Sequence, residues 1–222
     1  MKWAVILLSG GIDSCVTTAL AIEAGYKAAL MHINYGQRTQ DKELSAFHAI
    51  ADHYKVKKRL VVDISYLKVI GGSSLTDHSI ALEEEESGSF PSTYVPFRNG
   101  NMVSIAVSWA ETINAKKVYI GVAEGDVVYP DCTKLFYEKF NALLSVGLPA
   151  GKALSVETPL VDLRKNEIVR LGLDLNVPLE LTWSCYQSEL TACGVCCSCR
   201  LRLKAFRDIN KKDPISYRKE DI

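Results

Sequence analysis

A short polar loop near the start of the chain has the residue types of a phosphate-binding site. It comprises residues 9–14, Ser-Gly-Gly-Ile-Asp-Ser, between an apolar run and an amphipathic segment. Glycine permits positive φ and lets the backbone approach a ligand closely. A helix that begins here would direct unpaired N–H groups and its positive dipole end at an anion. The loop matches neither the Walker pattern nor the dinucleotide-binding glycine pattern, and a glycine pair alone is also typical of an ordinary turn.

Asp13 is unusual in a loop that binds an anion, because its carboxylate would repel phosphate. We expect it to serve as a magnesium ligand or as the N-cap of the following helix. The hydroxyls of Ser9 and Ser14 add hydrogen-bonding groups without adding charge. The loop therefore predicts a phosphate site with a cation close by.

Five of the seven cysteines fall within a 15-residue stretch, whereas Cys15 and Cys132 stand alone. In a reducing compartment such clustering favours metal binding over a disulfide framework. Zinc takes four thiolates tetrahedrally, and two-residue gaps let neighbouring ligands converge, so we predict a structural zinc site. Its predicted ligands are Cys185, Cys193, Cys196 and Cys199. A set with Cys197 in place of Cys185 is an alternative that the divergence of adjacent side chains disfavours, and an iron–sulfur cluster is another.

The composition excludes some classes of partner. Lysine plus arginine equals aspartate plus glutamate at 26 each, so no net charge favours nucleic acid or an anionic membrane. No apolar run approaches the ~20 residues that span a bilayer. The apolar start of the chain runs into a glycine turn and is better explained as a buried strand than as a signal peptide. We expect a cytoplasmic protein that binds neither nucleic acid nor membrane.

The pattern of apolar residues predicts an α/β fold with a parallel, approximately five-stranded, Rossmann-like sheet and helices on both faces. Predicted strands cover residues 3–8, 28–33, 59–64 and 117–122, with a further segment at 155–160. Predicted helices cover residues 14–24, 40–54, 99–113, 132–146 and 200–209, and a short one begins near Lys165. We expect one α/β domain over residues 1–180, with a zinc-binding helical module over residues 181–222 packed on it.

Residues 71–93 interrupt this alternation with three glycines, six serines and an acidic run from Glu83 to Glu86. We predict a long, mobile loop. The four glutamates are interpreted as a solvated run rather than a binding site.

The loop at residues 9–14 resembles the SGGxDS pyrophosphate loop of the ATP pyrophosphatase superfamily, whose members adenylate a carboxylate, carbonyl or thiocarboxylate. Nearly the whole chain resembles the 7-cyano-7-deazaguanine synthase family of that superfamily. The resemblance depends on residues 9–14, 95–99 (Val-Pro-Phe-Arg-Asn), 121–122, 129–132 (Tyr-Pro-Asp-Cys), 158–160 and 182–186, followed by the remaining cysteines. It implies an adenine nucleotide alpha hydrolase-like fold and conversion of 7-carboxy-7-deazaguanine and ammonia to a nitrile through adenylated carboxylate and amide intermediates. It also implies ATP, Mg²⁺, one structural Zn²⁺ per chain and a homodimer.

The resemblance also implies roles for individual residues. Asp13, Lys165 and Asp131 are the candidate catalytic residues, with Asp13 near magnesium and Lys165 at the ATP phosphates. Candidate substrate-binding residues are Arg98, Asn99, Tyr129 and Asp131. The ATP-binding residues would be Leu8, Ser9, Gly10, Gly11, Ile12, Asp13, Ser14, Cys15, Val16, Thr17 and Thr18.

Three of these roles have simpler alternatives. Arg98 is open to interpretation as a surface ion pair, and Asp131 as part of a turn and helix cap. His32, at a predicted strand end, is interpreted as a packed residue and not as a catalytic one.

The chain departs from the family pattern beside the predicted substrate pocket. Val127 and Val128 replace the usual Ser-Gly, and Thr133 stands where arginine is common, so the pocket is expected to differ in detail. A tRNA-modifying enzyme of the same superfamily is the alternative function, and a zinc-binding adaptor with a decayed nucleotide fold is a non-enzymatic one. The neutral charge disfavours the first and the intact loop disfavours the second.

Overall fold

A five-stranded, fully parallel sheet forms the centre of the computed structural model, which describes residues 2–82, 90–124 and 129–219. The strands are β1 (Trp3–Leu7), β2 (Lys27–Asn34), β3 (Arg59–Asp63), β4 (Lys117–Ile120) and β5 (Ser155–Glu157). Their spatial order is β3-β2-β1-β4-β5, so β1 is central and pairs with both β2 and β4. The predicted α/β class and parallel sheet are confirmed.

Seven helices surround the sheet in the described part of the chain. They are α1 (Ile12–Glu23), α2 (Gln40–His53), α3 (Tyr66–Ile70), α4 (Arg98–Thr112), α5 (Lys134–Gly147), α6 (Lys165–Asp174) and α7 (Cys197–Asp208). Two 3₁₀ turns, Pro130–Cys132 and Leu179–Leu181, lie before α5 and after α6. The connections between parallel strands all contain helices, as this strand geometry requires.

The sheet is buried on both faces, which explains why β1 is a continuous apolar run. Val5 and Leu7 belong to a core cluster that includes residues of α4 and α5. Ala4 and Ile6 belong to a second cluster that includes residues of α1, α2, α6 and α7. Alternate side chains of one strand therefore enter opposite cores, because successive residues point to opposite faces.

Some elements differ from the prediction in their presence or in the residues at which they begin and end. The short helix α3 was not predicted. The strand at 155–160 ends at Glu157, immediately before Thr158-Pro159, because proline supplies no N–H to a ladder. Helix α7 begins at Cys197 rather than at residue 200, so two clustered cysteines lie in its first turn.

The predicted long loop has no helix or strand in its described parts, residues 71–82 and 90–93. Its first part is packed, which contradicts the predicted mobility there: Ser73, Ser74 and Thr76 are fully buried. The Arg38 guanidinium donates to the carbonyl oxygens of Ser74, Asp77 and Ile80 at 2.7–3.0 Å. The acidic run Glu83 to Glu86 lies outside the described residues, as do Val127 and Val128.

A buried ion pair attaches the carboxyl-terminal segment to the α/β domain. Arg202, on α7, and Asp213 are 1% and 2% exposed at their side chains, and Arg202 Nε donates to Asp213 Oδ2 at 2.7 Å. The same guanidinium donates to the carbonyl oxygens of Leu179 and Thr182. All three guanidinium nitrogens of Arg202 therefore have hydrogen-bond partners, as a buried charge requires.

Among the described residues, no helix combines the length and the apolar character needed to cross a bilayer.

The end of β4 packs so closely on the start of α1 that residue 121 has no room for a side chain. A Cβ at Gly121 would lie 2.7 Å from the Asp13 carbonyl carbon and 2.8 Å from its oxygen. We expect Gly121→Ala to lower the free energy of unfolding by about 1–3 kcal/mol, because backbone must shift. Gly147→Ala is the matched control, since nothing lies within 4 Å of the added methyl, and chemical denaturation measures both. Equal midpoints for the two variants would contradict this close packing.

Candidate active site

The loop at residues 9–14 lies at the carboxyl end of the central strand, where the strand order reverses. From β1 the chain crosses to β2 on one side, whereas β4 and β5 lie on the other. In open parallel sheets this reversal leaves a crevice beyond the strand ends, and ligands bind there. The topology thus places the predicted phosphate loop at the usual binding position of the fold.

The loop is held in a preformed turn by its own hydrogen bonds. Gly10 has φ of +97°, and a Cβ there would lie 2.8 Å from the Glu43 carbonyl oxygen. Ser14 Oγ accepts from Ser9 N–H at 3.2 Å and donates to the Gly11 carbonyl at 3.0 Å. Residue 10 must therefore be glycine for both conformation and space.

Gly11, not Asp13, is the N-cap of α1, and no side chain caps this helix. The alternative role of Asp13 as N-cap is therefore wrong. Because the N-cap offers no side-chain acceptor, the N–H groups of the first turn are available to a ligand at this helix end.

Asp13 and Lys165, two predicted catalytic residues 152 positions apart, are in direct contact. Lys165 Nζ lies 2.6 Å from both carboxylate oxygens of Asp13. Lys165 opens α6, whose Arg164 N–H is capped by Glu167. Both side chains retain some exposure, 18% for Lys165 and 26% for Asp13, so a cation and an anion face solvent beside the phosphate loop.

Asp131 and Asn99, predicted to contact substrate, are joined in the interior. The backbone N–H of Asn99 at the start of α4 donates to Asp131 Oδ2 at 2.8 Å, and Asn99 Nδ2 donates to Cys132 Sγ at 3.0 Å. Asp131 is 2% exposed and Asn99 is 6% exposed. One carboxylate oxygen of Asp131 thus satisfies a buried helix end, as a distant residue rather than a local cap. The substrate roles of both residues remain predictions.

Arg98 faces aromatic side chains. Its Nη1 donates to the Tyr35 hydroxyl at 3.1 Å, and its guanidinium lies 4.9 Å from the centre of the Tyr35 ring. No carboxylate in the described part of the chain forms an ion pair with Arg98 by distance, so the surface-ion-pair alternative is not supported. Burial raises the pKa of Tyr35 to about 12, which keeps its hydroxyl protonated.

Tyr129, the remaining predicted substrate residue, lies against the end of the long loop and the residue that follows it. Its hydroxyl is 2.7 Å from Thr93 Oγ1, and its ring stacks on Tyr94 with centres 5.6 Å apart. With an angle of 26° between the ring planes, the pair forms a flat aromatic surface. Thr133 caps α5 by accepting from Phe136 N–H, which gives this departure from the family pattern a structural role.

The sequence analysis missed Glu43, on α2. Its carboxylate accepts from Thr39 Oγ1 at 2.9 Å and from Gln37 Nε2 at 3.1 Å. Burial raises the pKa of Glu43 to about 7, although both hydrogen bonds and the charge of Arg98 oppose the rise. The spacing of residues in the sequence could have indicated Glu43. It precedes Phe47 by four residues and Ile50 by seven, which places an acidic side chain on the apolar face of the helix.

His32 is packed, as predicted. It is 1% exposed, its Nδ1 lies 3.1 Å from the Leu8 carbonyl oxygen and its Nε2 lies 3.0 Å from Asn34 Oδ1. Burial lowers its pKa, so the ring is neutral at physiological pH.

The four predicted metal ligands converge near the start of α7. The thiol sulfurs of Cys185, Cys193, Cys196 and Cys199 all lie within 4.8 Å of one another, and all four residues are buried. Cys193 Sγ accepts from the backbone N–H groups of Val195 and Cys196 at 3.3–3.4 Å. Hydrogen bonds from Cys196 and Cys199 lower the pKa of Cys185, and the same bonds raise the pKa of Cys196 and of Cys199. This group could hold a metal ion, and Cys197 is not part of it.

One backbone hydrogen bond connects the cysteine cluster to the phosphate loop. Trp183 N–H donates to the Gly10 carbonyl at 2.8 Å, and Cys185 follows two residues later. The two predicted sites are therefore parts of one folded unit.

Residues 3–210 match the family model described as queuosine biosynthesis protein QueC. The chain belongs to the QueC family. A relative from Chlorobium phaeobacteroides (strain DSM 266), named 7-cyano-7-deazaguanine synthase, is 52% identical over 217 residues, covering 96% of each chain. A relative of the same name from Chloroherpeton thalassium is 50% identical and covers 97% of this chain and 96% of its own. The chain is accordingly an enzyme of queuosine biosynthesis.

Solved structures of lower identity show the same fold. NMN synthetase from Francisella tularensis is 16% identical with a TM-score of 0.53, over 95% of this chain and 78% of that one. The U34-tRNA thiolase NcsA from Methanococcus maripaludis, solved with its [4Fe-4S] cluster, is 16% identical with a TM-score of 0.52, over 94% and 65%. At such identity these likenesses describe the fold of this QueC-family chain and nothing of its ligands.

The geometry of the cysteine cluster predicts which thiols metal binding requires. We expect Cys196→Ser to abolish stoichiometric metal binding, because it takes away one of four convergent ligands. Cys197→Ser, the adjacent control, should retain the metal. Elemental mass spectrometry of the purified proteins gives both the ratio and the identity of the metal. Retained metal in the first variant together with loss in the second would show that the ligand set is wrong.

Proposed function

We propose that this enzyme converts 7-carboxy-7-deazaguanine, ammonia and ATP into 7-cyano-7-deazaguanine. The observation that carries the proposal is the Asp13–Lys165 pair at the preformed loop of a QueC-family chain. It supplies a cation for phosphate and a carboxylate for a metal at one helix N-terminus. The close identity to relatives named for this synthase supports the choice of product.

The chemistry requires activation of oxygen twice. A carboxylate oxygen is a poor leaving group, so transfer of AMP from ATP to that oxygen converts it into a good one and releases pyrophosphate. Ammonia then displaces AMP and forms the amide. Transfer of a second AMP to the amide oxygen, followed by its elimination, yields the nitrile. The protein's contribution is positioning and stabilisation of charge.

The candidate site residues each have a role in this reaction. Residues 8–18 hold ATP, with the Gly10–Gly11 turn and the start of α1 at its phosphates. Lys165 neutralises phosphate charge. Arg98 binds the substrate carboxylate, and Tyr129 lies against the deazapurine ring, with Asn99 and Asp131 fixing the start of α4 beside it.

Mg²⁺ fits Asp13, the carboxylate at the loop, because oxygen ligands and bound phosphates suit this ion. When bound, it would supply positive charge to the phosphate oxygens. Lys165 and the amide groups of α1 supplement that charge from the protein side.

Zinc fits the cysteine cluster better than an iron–sulfur cluster does. Tetrahedral bonds of about 2.3 Å to zinc place sulfurs about 3.8 Å apart, and Cys193 Sγ lies 3.8 Å from Cys199 Sγ. A cluster of several irons would need more widely spaced thiolates. Four thiolates leave no open position, so the ion has a structural role.

Incubation with 7-carboxy-7-deazaguanine, ammonium and Mg-ATP, followed by mass spectrometry, tests the proposed reaction. We expect the amide and then the nitrile. Lys165→Ala should lower kcat/KM at least about 100-fold, because it removes charge stabilisation. Lys204→Ala is the control, since that exposed lysine pairs only weakly, at 3.7 Å, with Asp208. A wild-type enzyme that forms neither product would refute the proposed substrate.

We further propose a homodimer formed through α5, in the cytoplasm. Leu135, Leu143 and Val146 project from one side of this helix and are 61%, 59% and 81% exposed. Adjacent apolar side chains at such exposure are typical of a surface that pairs with a second copy.

Sedimentation velocity tests this interface. We expect Leu143→Glu to shift the protein from dimer to monomer, because the symmetric contact would bury the new charge twice. Leu190→Glu is the control, at an isolated apolar residue that is 85% exposed. A dimer that withstands the first substitution would show that another surface pairs.

A further inference from the structure

The proposed reaction removes every hydrogen from ammonia. Nitrogen enters with three hydrogens, keeps two in the amide and has none in the nitrile. Each departing proton needs an acceptor near the carboxylate carbon. An effective acceptor has a pKa near the working pH, because it must be deprotonated before the step and basic enough to take the proton.

The described carboxylates already discussed are committed to other partners. Asp13 contacts Lys165 through both oxygens, and one oxygen of Asp131 holds the start of α4. Tyr35, whose burial raises its pKa to about 12, remains protonated and therefore cannot take a proton from nitrogen.

Glu43 lies between the phosphate loop and Arg98. Its backbone carbonyl oxygen is the atom that a Cβ on Gly10 would meet at 2.8 Å. Gln37, which donates to the Glu43 carboxylate at 3.1 Å, accepts from the Tyr35 N–H at 2.9 Å. Tyr35 directly follows β2, and its hydroxyl accepts from Arg98 on α4. The residue thus stands between the proposed sites of ATP phosphate and substrate carboxylate.

The groups around the Glu43 carboxylate come from three parts of the chain. Gln37 and Thr39 donate to it from the segment before α2, and Arg98 provides positive charge from α4. Glu189, in the cysteine-rich segment, adds negative charge and also accepts from the Lys42 N–H. Tyr35, Tyr186, Cys132 and Asp131 are titratable groups near Arg98, and Tyr129 lies near Tyr35 and Tyr186. Burial, the strongest of these influences, raises the pKa of Glu43 to about 7.

We propose that the Glu43 carboxylate accepts the protons that nitrogen loses during amide and nitrile formation, an inference that depends on the proposed function. In the first step a C–N bond forms, the bond from carbon to the AMP-bearing oxygen breaks, and one N–H proton passes to Glu43. In the second step the amide oxygen takes AMP from ATP and pyrophosphate leaves. The O-adenylated amide loses one N–H proton to Glu43, which passes it to solvent, and the last N–H proton then goes to Glu43 as the C–O bond breaks and AMP departs. Glu43 returns each proton to solvent between steps, so no oxidant or reductant is needed.

Glu43→Gln tests the role, because it preserves shape and removes basicity. We expect amide formation to slow at least about 100-fold, while substrate-dependent exchange of labelled pyrophosphate into ATP stays within about twofold of wild type, since adenylation moves no proton from nitrogen. In wild type, kcat for amide formation should rise with pH through about 7, as Glu43 becomes deprotonated. The variant should lack that rise.

Two further variants separate a proton acceptor from a structural residue. Glu189→Gln removes a negative charge that raises the pKa of Glu43, so the pH rise should move to lower pH. Thr39→Val removes a hydrogen bond that lowers it, so the rise should move to higher pH. A residue that only supports the start of α2 would give no such opposite displacements.

The outcomes distinguish this inference from the proposed function. If Glu43→Gln loses pyrophosphate exchange and amide formation equally, or if neither neighbouring variant moves the pH profile, the inference is overturned and the reaction stands. If wild type shows no exchange dependent on 7-carboxy-7-deazaguanine, the proposed function fails and the role of Glu43 fails with it.

Discussion

The position of the phosphate loop depends on a buried guanidinium far along the chain. Arg202 pairs with Asp213 and donates to backbone carbonyls of the segment that ends at Thr182. The next residue, Trp183, donates its N–H to Gly10. An unpaired buried charge costs several kcal/mol, so this part of the chain keeps one arrangement, and the loop is held from the outside as well as by its own serines.

The same segment gives the cysteine cluster its relevance to catalysis. Cys185 lies two residues beyond Trp183, and the other three thiols surround the start of α7, which carries Arg202. A metal ion bound by these thiols would hold Cys185 and the start of α7 together. It would thereby fix the segment whose Trp183 N–H donates to Gly10. With all four thiolates bound to it, such an ion would have no open coordination position and would act on the loop through geometry alone.

Sequence patterns predicted the parallel sheet and the convergence of the four cysteines, for physical reasons that act locally. Continuous apolar runs mark strands covered on both faces, and closely spaced cysteines can reach one ion. The interactions that complete the site are not local. Glu43 depends on Arg98 and Glu189 for its environment, and only the fold brings them together. Arg202 looks like any surface arginine of a basic helix, since its partner Asp213 lies beyond the end of that helix. The resemblance implied separate roles for Lys165 and Asp13, and only the fold shows their contact across 152 residues.

The hydrogen bond between residues 10 and 183 also constrains the order in which the protein matures during translation. The central strand pairs with β4, more than 100 residues later, and its loop takes its last backbone partner later still. Contacts between residues so distant in sequence carry a high entropic cost of loop closure, and they form slowly. A nascent chain whose first 150 residues have left the ribosome can assemble most of the sheet. Its phosphate loop still lacks the hydrogen bond to Gly10 until Trp183 emerges. The loop at residues 9–14 consequently gains this hydrogen bond only after synthesis has passed Trp183.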